Sequence, residues 1–332
     1  MHTSKKHRIT LIGLILSLPL VIYVHLISGQ IDVSLNDYIE ALFSFNSDNT
    51  NHFIAREIRI PRMFMALFAG AGLSVAGLLM QTLFNNPLAG PYVLGINSGS
   101  SLFVAFTFMS GIPLLTSDIG VVSAALIGAF IFGLIILSFS YVVRSHISLL
   151  LIGLMLGSFT SALVYIMQTA SNSHELKAFT MWAMGSLQNV DLVQIPFICS
   201  LFLLGIITAF FIIKPLNVLV IGEKDAKLLG INYRLVRIVI IIITALLTGL
   251  ITAYCGPIAF VGLAVPNLVK IIFKSQNHLI LLISSILIGG NFVLICDIFI
   301  QLLENNMNIP INAITSLIGA PFIVFIVLKK LA

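Results

Sequence analysis

The sequence predicts an all-α polytopic membrane protein with about ten transmembrane helices, and three observations carry that prediction. Of its 332 residues 59% are hydrophobic and only 9% charged, with a mean hydropathy of +1.11, which excludes an ordinary soluble domain. Uncharged apolar runs recur along the whole chain, most of them long enough to cross a ~30 Å hydrocarbon core at ~1.5 Å per residue. The basic residues lie between these runs and form no patch, so the net charge of +5 reads as membrane orientation and not as nucleic-acid binding.

In chain order the runs are residues 9–27, 63–83, 92–115, 119–143, 147–170, 192–213, 235–254, 258–273, 279–303 and 308–328. The first follows Lys5, Lys6 and Arg8. It is long for a signal peptide and no Ala-x-Ala site follows it, so it reads as a retained helix. An outer loop, residues 28–62, ends in Arg56, Arg59 and Arg62. In the hinge Arg59-Ile-Pro-Arg62, Pro61 is expected to stop any helix arriving from its N-terminal side.

The next 21 residues, 63–83, carry no charge. Ala66, Gly70 and Ser74 recur at a spacing of four, as do Gly72 and Ala76, and small residues so spaced let a neighbouring helix approach closely in lipid. Asn85-Asn86-Pro87-Leu88-Ala89-Gly90-Pro91 then breaks the helix, and a further apolar run with Leu94-Gly95 follows. The uncharged stretch 238–269 is interrupted only by Cys255-Gly256-Pro257, which fits either a hairpin or one kinked helix. Both interruptions are expected sites of broken helices.

Orientation follows from the loops. With the N-terminus inside, the inner segments hold Lys5, Lys6, Arg8, Arg144, Lys214, Lys224, Lys227, Arg234, Arg237, Lys270, Lys274, Lys329 and Lys330, thirteen of the seventeen basic residues. Ten spans then return the C-terminus to the cytoplasm, with the chain in the cell membrane. The largest inner segment, 214–234, contains Gly222-Glu223-Lys224-Asp225-Ala226-Lys227-Leu228-Leu229-Gly230, a short helix with a glycine at its end. Leu219, Ala226 and Leu229 could offer a partner a small apolar face; a solvated connector is the other reading. On the outer side, residues 174–190 read as an interfacial helix in which Trp182 suits the headgroup region.

Catalytic chemistry is missing. There is no GxxxxGK[ST] to cradle ATP phosphates, no HExxH and no GxSxG. Cys199, Cys255 and Cys296 lie in apolar runs without a CxxC, and the seven histidines are dispersed, so neither a metal site nor a bound cofactor is expected. Asp297 is the one carboxylate inside a span; at a cost of roughly 2.5–3.5 kcal/mol it should face protein or water. A single such group is thin support for an ion-coupled carrier. A pathway without an energy source needs an external motor.

Several of these residues resemble one family in wording as well as in order. The Arg59-Ile-Pro-Arg62 hinge, the small-residue helix ending in Gln81, Asn86-Pro87-Leu88-Ala89 with Pro91, and Gly95 resemble the FecCD/BtuC-like permeases, membrane subunits of ABC importers for iron–siderophore, haem and cobalamin. So do Trp182 with Gly185-Ser186-Leu187, the 222–230 loop, the run from Gly256-Pro257 to Pro266, and Asp297, Pro310 and Gly319-Ala320-Pro321. The resemblance covers nearly the whole chain and implies a type II ABC importer (BtuC-like) permease fold, one transmembrane domain over residues 1–332.

It further implies a second permease subunit, alike or different, two cytoplasmic ATPase subunits that bind the ATP, and an extracytoplasmic substrate-binding protein. Arg59 and Arg62 would pair with carboxylates of the binding protein, or else cap the helix and meet phosphate headgroups. Gly222, Glu223, Ala226, Leu229 and Gly230 would couple to the ATPase. The cargo expected is a ferric siderophore, with haem or cobalamin as alternatives. The family's Pro-His-x-x-Arg reads Pro266-Asn267-Leu268-Val269-Lys270 here, its Pro-x-Gly reads Pro310-Ile311-Asn312, and an arginine four residues after Asp297 is Gln301.

Overall fold

A computed structural model describes residues 2–112, 116–143, 145–220, 226, 228–304 and 309–331. Among these the chain forms thirteen helices and no strand. They are α1 (His2–Ile27), α2 (Leu35–Phe43), α3 (Thr50–Leu83), α4 (Ile96–Met109), α5 (Asp118–Val142), α6 (His146–Ala170) and α7 (Ser173–Met184). After them come α8 (Ile195–Phe211), α9 (Ile213–Leu219), α10 (Tyr233–Cys255), α11 (Val261–Phe273), α12 (His278–Leu303) and α13 (Ile311–Leu331). Seven (α1, α3, α5, α6, α8, α10 and α12) are long and apolar enough to span a bilayer, and three shorter apolar helices (α4, α11 and α13) complete the set.

The architecture is centred on α3. Almost all of its Ile60–Leu83 portion is buried, and α10, α11, α12 and α8 pack around it. This burial follows from its small residues. A Cβ on Gly70 would overlap the Gly289 carbonyl of α12, and one on Gly289 would overlap the Gly70 carbonyl. Gly70 and Ser74 thus mark the α3–α12 contact, as expected of helices that associate through close backbone approach, while Gly72 faces Ile251 of α10 and Phe202 of α8.

One expectation about proline is corrected. Pro61 does not stop the helix: α3 runs continuously from Thr50 through it. Over Ile54–Arg59 the turn widens, and the Ile60 amide reaches back to the Ala55 carbonyl. A five-residue step relieves the clash that a proline ring makes with an ordinary preceding turn. Pro266 lies inside α11, within the apolar run 258–273. Its missing N–H leaves the Gly262 carbonyl unclaimed in the helix, and that oxygen packs against Gly77 of α3, where a Cβ would collide with it.

The two expected breaks are present, and they shorten their helices. α4 has 14 residues and α11 has 13, about 21 and 20 Å long, so neither fills a ~30 Å core, although the run 92–115 was long enough to do so. Gly95 at φ +75° closes the turn before α4, and Gly256 at φ +70° ends α10. At Gly256 a Cβ would strike the Trp182 carbonyl, so only glycine fits. Trp182 itself is buried beside Phe179, not spread at the surface as a headgroup anchor. Its helix α7 starts from a capping box of Asn172 and Glu175.

Candidate functional site

Polar side chains that the sequence scatters over the chain gather at three levels of the bundle. At the end of the bundle where α1 finishes, α1, α3 and α12 converge on Asp297, which is 1% exposed. Arg62 grips it with both arms of the guanidinium, Nε to Oδ2 at 2.8 Å and Nη2 to Oδ1 at 3.0 Å. His25 Nε2 donates to Oδ2 at 2.7 Å and Gln301 Nε2 at 3.1 Å. Arg62 also reaches Glu304 at 3.4 Å, and Glu304 accepts from Gln188 at 2.8 Å. Asp297 therefore faces protein, as its position inside a span required. His25 was the member that sequence reasoning missed. The available signal was a second titratable residue near the same end of another span.

The cluster borders a chamber of about 510 Å³ lined also by Trp182, Tyr254 and Asp118. Arg59 and Arg62 are each only 6% exposed, so neither stands free on the surface. Arg59 donates to the Leu26 carbonyl at 2.7 Å and to the Ile31 carbonyl, capping the end of α1 with a positive charge where the helix dipole favours one. Of the cations that the sequence placed outside, Arg56 lies half-exposed over the Phe45 ring, 3.5 Å from Glu57, and Lys177 is exposed.

At mid-height the broken ends meet. The Tyr92 hydroxyl, in the turn before α4, accepts from the Ile258 amide at 2.6 Å and donates to the Ile258 carbonyl. Ser186 N–H donates to the Cys255 carbonyl at 2.8 Å, and the Ala259 amide donates to Asn312 of α13 at 3.0 Å. Irregular backbone here is satisfied by side chains, the condition for non-helical chain at membrane depth. A groove of about 480 Å³ opens beside it, lined by Tyr92, Ser98, Ser158, Ser161 and Tyr165. The family-motif prolines sit nearby: Pro91 starts the turn that leads to Gly95, and Pro257 follows Gly256.

Towards the opposite end, Asn86 turns the chain by accepting from the Leu88 amide at 2.9 Å. Asn267 donates to the Pro87 carbonyl at 2.8 Å and Lys270 to Gln81 at 2.8 Å, so the two departures in the Pro266 motif both tie α11 to the end of α3. His278 joins Asn217 of α9, at 3.0 Å, to Thr82 of α3, at 2.9 Å. In the 222–230 segment Gly222 and Glu223 lie outside the described residues, as do Lys224 and Lys227. Ala226 and Leu219 are buried, so they do not form the apolar face expected of them; Leu228 and Leu229 do, at 85% and 63% exposed. Gly230 has φ +79°, and the Ile231 amide bonds back to the Ala226 carbonyl at 3.0 Å, the glycine ending that the sequence called for.

Comparison with known proteins agrees over almost the full length. The model of the FecCD transport family matches residues 11–329. The chain is similar to the hemin transport system permease protein HmuU of Yersinia pestis, 30% identical over 321 residues and 96% of each chain. It is also similar to the vitamin B12 import system permease protein BtuC of Vibrio vulnificus, 30% identical over 99% of this chain and 96% of that one. A solved structure of a metal-chelate type ABC transporter in an inward-facing conformation superposes with a TM-score of 0.86 at 30% identity, covering 96% of this chain and 99% of that one.

Proposed function

Because the chain belongs to the FecCD transport family, we propose that it is the membrane-spanning permease subunit of an ATP-binding-cassette importer, carrying a ferric siderophore into the cytoplasm. The match over residues 11–329 carries this reading, since it takes in all or most of every helix named above. The whole chain acts as one transmembrane unit with both termini inside. It pairs with a second permease subunit, receives cargo from an extracytoplasmic binding protein and is driven by two ATPase subunits. The metal-chelate description of the structural neighbour and the hydroxyl-lined groove at Ser98, Ser158 and Ser161 support an oxygen-rich chelate as cargo. Asp297, the carboxylate an ion-coupled carrier would use, is already taken by Arg62, His25 and Gln301. Uptake of labelled ferric siderophores, haem and cobalamin, compared side by side in a strain lacking this gene, tests the cargo. Selective loss of one siderophore is expected; loss of haem or cobalamin alone would replace the cargo.

The binding protein meets the outer surface through Arg56 and Lys177, while Arg59 and Arg62 hold the ends of α1 and α12 beneath it. The ATPase seats on the 222–230 segment, with Leu228 and Leu229 buried in its cleft and Asn217–His278–Thr82 joining that segment's approach to α3. Burial of a leucine contributes about 1.5–3 kcal/mol, so Leu228→Asp with Leu229→Asp should lower co-purification of the ATPase at least about tenfold. Unchanged co-purification of a well-expressed variant would remove Leu228 and Leu229 from the contact.

A further inference from the structure

α5, α8 and α10 leave a furrow of about 380 Å³ on the outside of the bundle, away from the three polar levels. Its floor is small: a Cβ on Gly133 would sit 3.0 Å from Ala245, and one on Gly249 would sit 2.8 Å from Ala129. Where α5 and α10 press together at these residues, the larger Leu134, Leu204 and Ile242 stand up as walls, each about half-exposed. Along α5 the furrow runs from Leu126 to Leu137, about 16 Å, roughly half of a ~30 Å hydrocarbon core.

One end of the furrow is cationic. Tyr141 continues the α5 stripe one turn past Leu137, and Arg237 continues the α10 stripe one turn before Ile241. Arg237 donates to the Ser140 carbonyl at 2.7 Å and lies over the Tyr233 ring, and the Arg234 guanidinium lies 5.3 Å over the Tyr141 ring. Among the described residues neither arginine has a carboxylate within ion-pair distance. Two fixed cations at the mouth of an apolar slot one leaflet long match a phosphate joined to a hydrocarbon chain.

We propose that this furrow is a binding site for an anionic glycerophospholipid, one acyl chain lying between α5 and α10 and the phosphate held by Arg234 and Arg237. An annular lipid would slide past a smooth helix face; here the narrow floor and the cationic mouth fix both ends of one molecule. The site goes beyond transport and does not depend on which cargo is carried.

The test is native mass spectrometry of the detergent-purified protein supplied with phosphatidylglycerol or phosphatidylcholine. One phosphatidylglycerol should survive delipidation better than phosphatidylcholine. Arg234→Gln with Arg237→Gln should weaken its retention about 30-fold, from the ~1 kcal/mol that each basic residue near anionic headgroups contributes. Leu204→Trp, which fills the slot, should abolish retention of both lipids. A phosphatidylglycerol with a photoreactive acyl chain should label Leu134 and Ile242 in the unmodified protein, a readout that no variant's folding can disturb. Equal retention of both lipids, labelling spread evenly around the bundle, or cross-linking of these residues to another protein chain would each overturn the proposal.

Discussion

Gly77→Val should give little or no folded protein, and Gly77→Ala should lose at least about 3 kcal/mol of stability. The obstacle is backbone on both sides. Any Cβ at Gly77 overlaps the Gly262 carbonyl, which points at α3 because Pro266 has no N–H to hold it within α11. Neither helix can yield by a rotamer change, so α3 and α11 must separate, and α3 is the element around which the bundle packs. Gly13→Ala is the control: nothing lies within 4 Å of its Cβ, and it should be neutral or slightly stabilising. Cys255 and Cys296 are buried and Cys199 is partly exposed, so in a Cys199→Ser background the temperature at which a thiol-reactive dye labels the detergent-solubilised protein reports unfolding. A Gly77→Ala variant that melts with the unmodified protein would show that α3 and α11 do not touch there.

Arg62→Ala or Asp297→Ala should each cost about 3–5 kcal/mol, because Arg62→Ala leaves the buried carboxylate with only His25 and Gln301, and Asp297→Ala leaves the buried guanidinium with only Glu304. The pair replaced together, Arg62→Met with Asp297→Leu, should recover most of that loss, a coupling that a double-mutant cycle reads directly. Arg62→Lys should rescue poorly, since a single ammonium cannot reproduce the two-pronged grip on Oδ1 and Oδ2. An Arg62 that acted only on an outside partner would give a different pattern. Each single variant would then fold normally, and the double variant would be no better than Arg62→Ala.

The ten apolar runs and the two breaks were readable because each is a local property: absence of charge over a run, or proline and glycine within a few residues. The small residues of α3 were readable for the same reason, since a spacing of four places them on one face whatever the partner. The partner itself was not readable. That Gly70 meets Gly289, or that Gly262 owes its exposed carbonyl to Pro266, depends on residues far apart in sequence. Pro61 misled because the rule that proline ends helices assumes an ordinary turn before it, and residues 54–59 do not make one. Arg59 and Arg62 misled in another way. A basic residue at the end of a span reads as outward-facing, and nothing local tells that the Leu26 carbonyl or the Asp297 carboxylate waits behind it.

The claim that this permease is moved by a separate ATPase is tested most directly by uptake of a labelled ferric siderophore in cells whose cognate ATPase carries an inactivated Walker lysine. Uptake that falls to the level of the permease deletion, and that survives brief collapse of the ion gradients while ATP is maintained, is the predicted result. Uptake that persists with the dead ATPase and vanishes when the ion gradients collapse would contradict the account and make the chain an ion-coupled carrier.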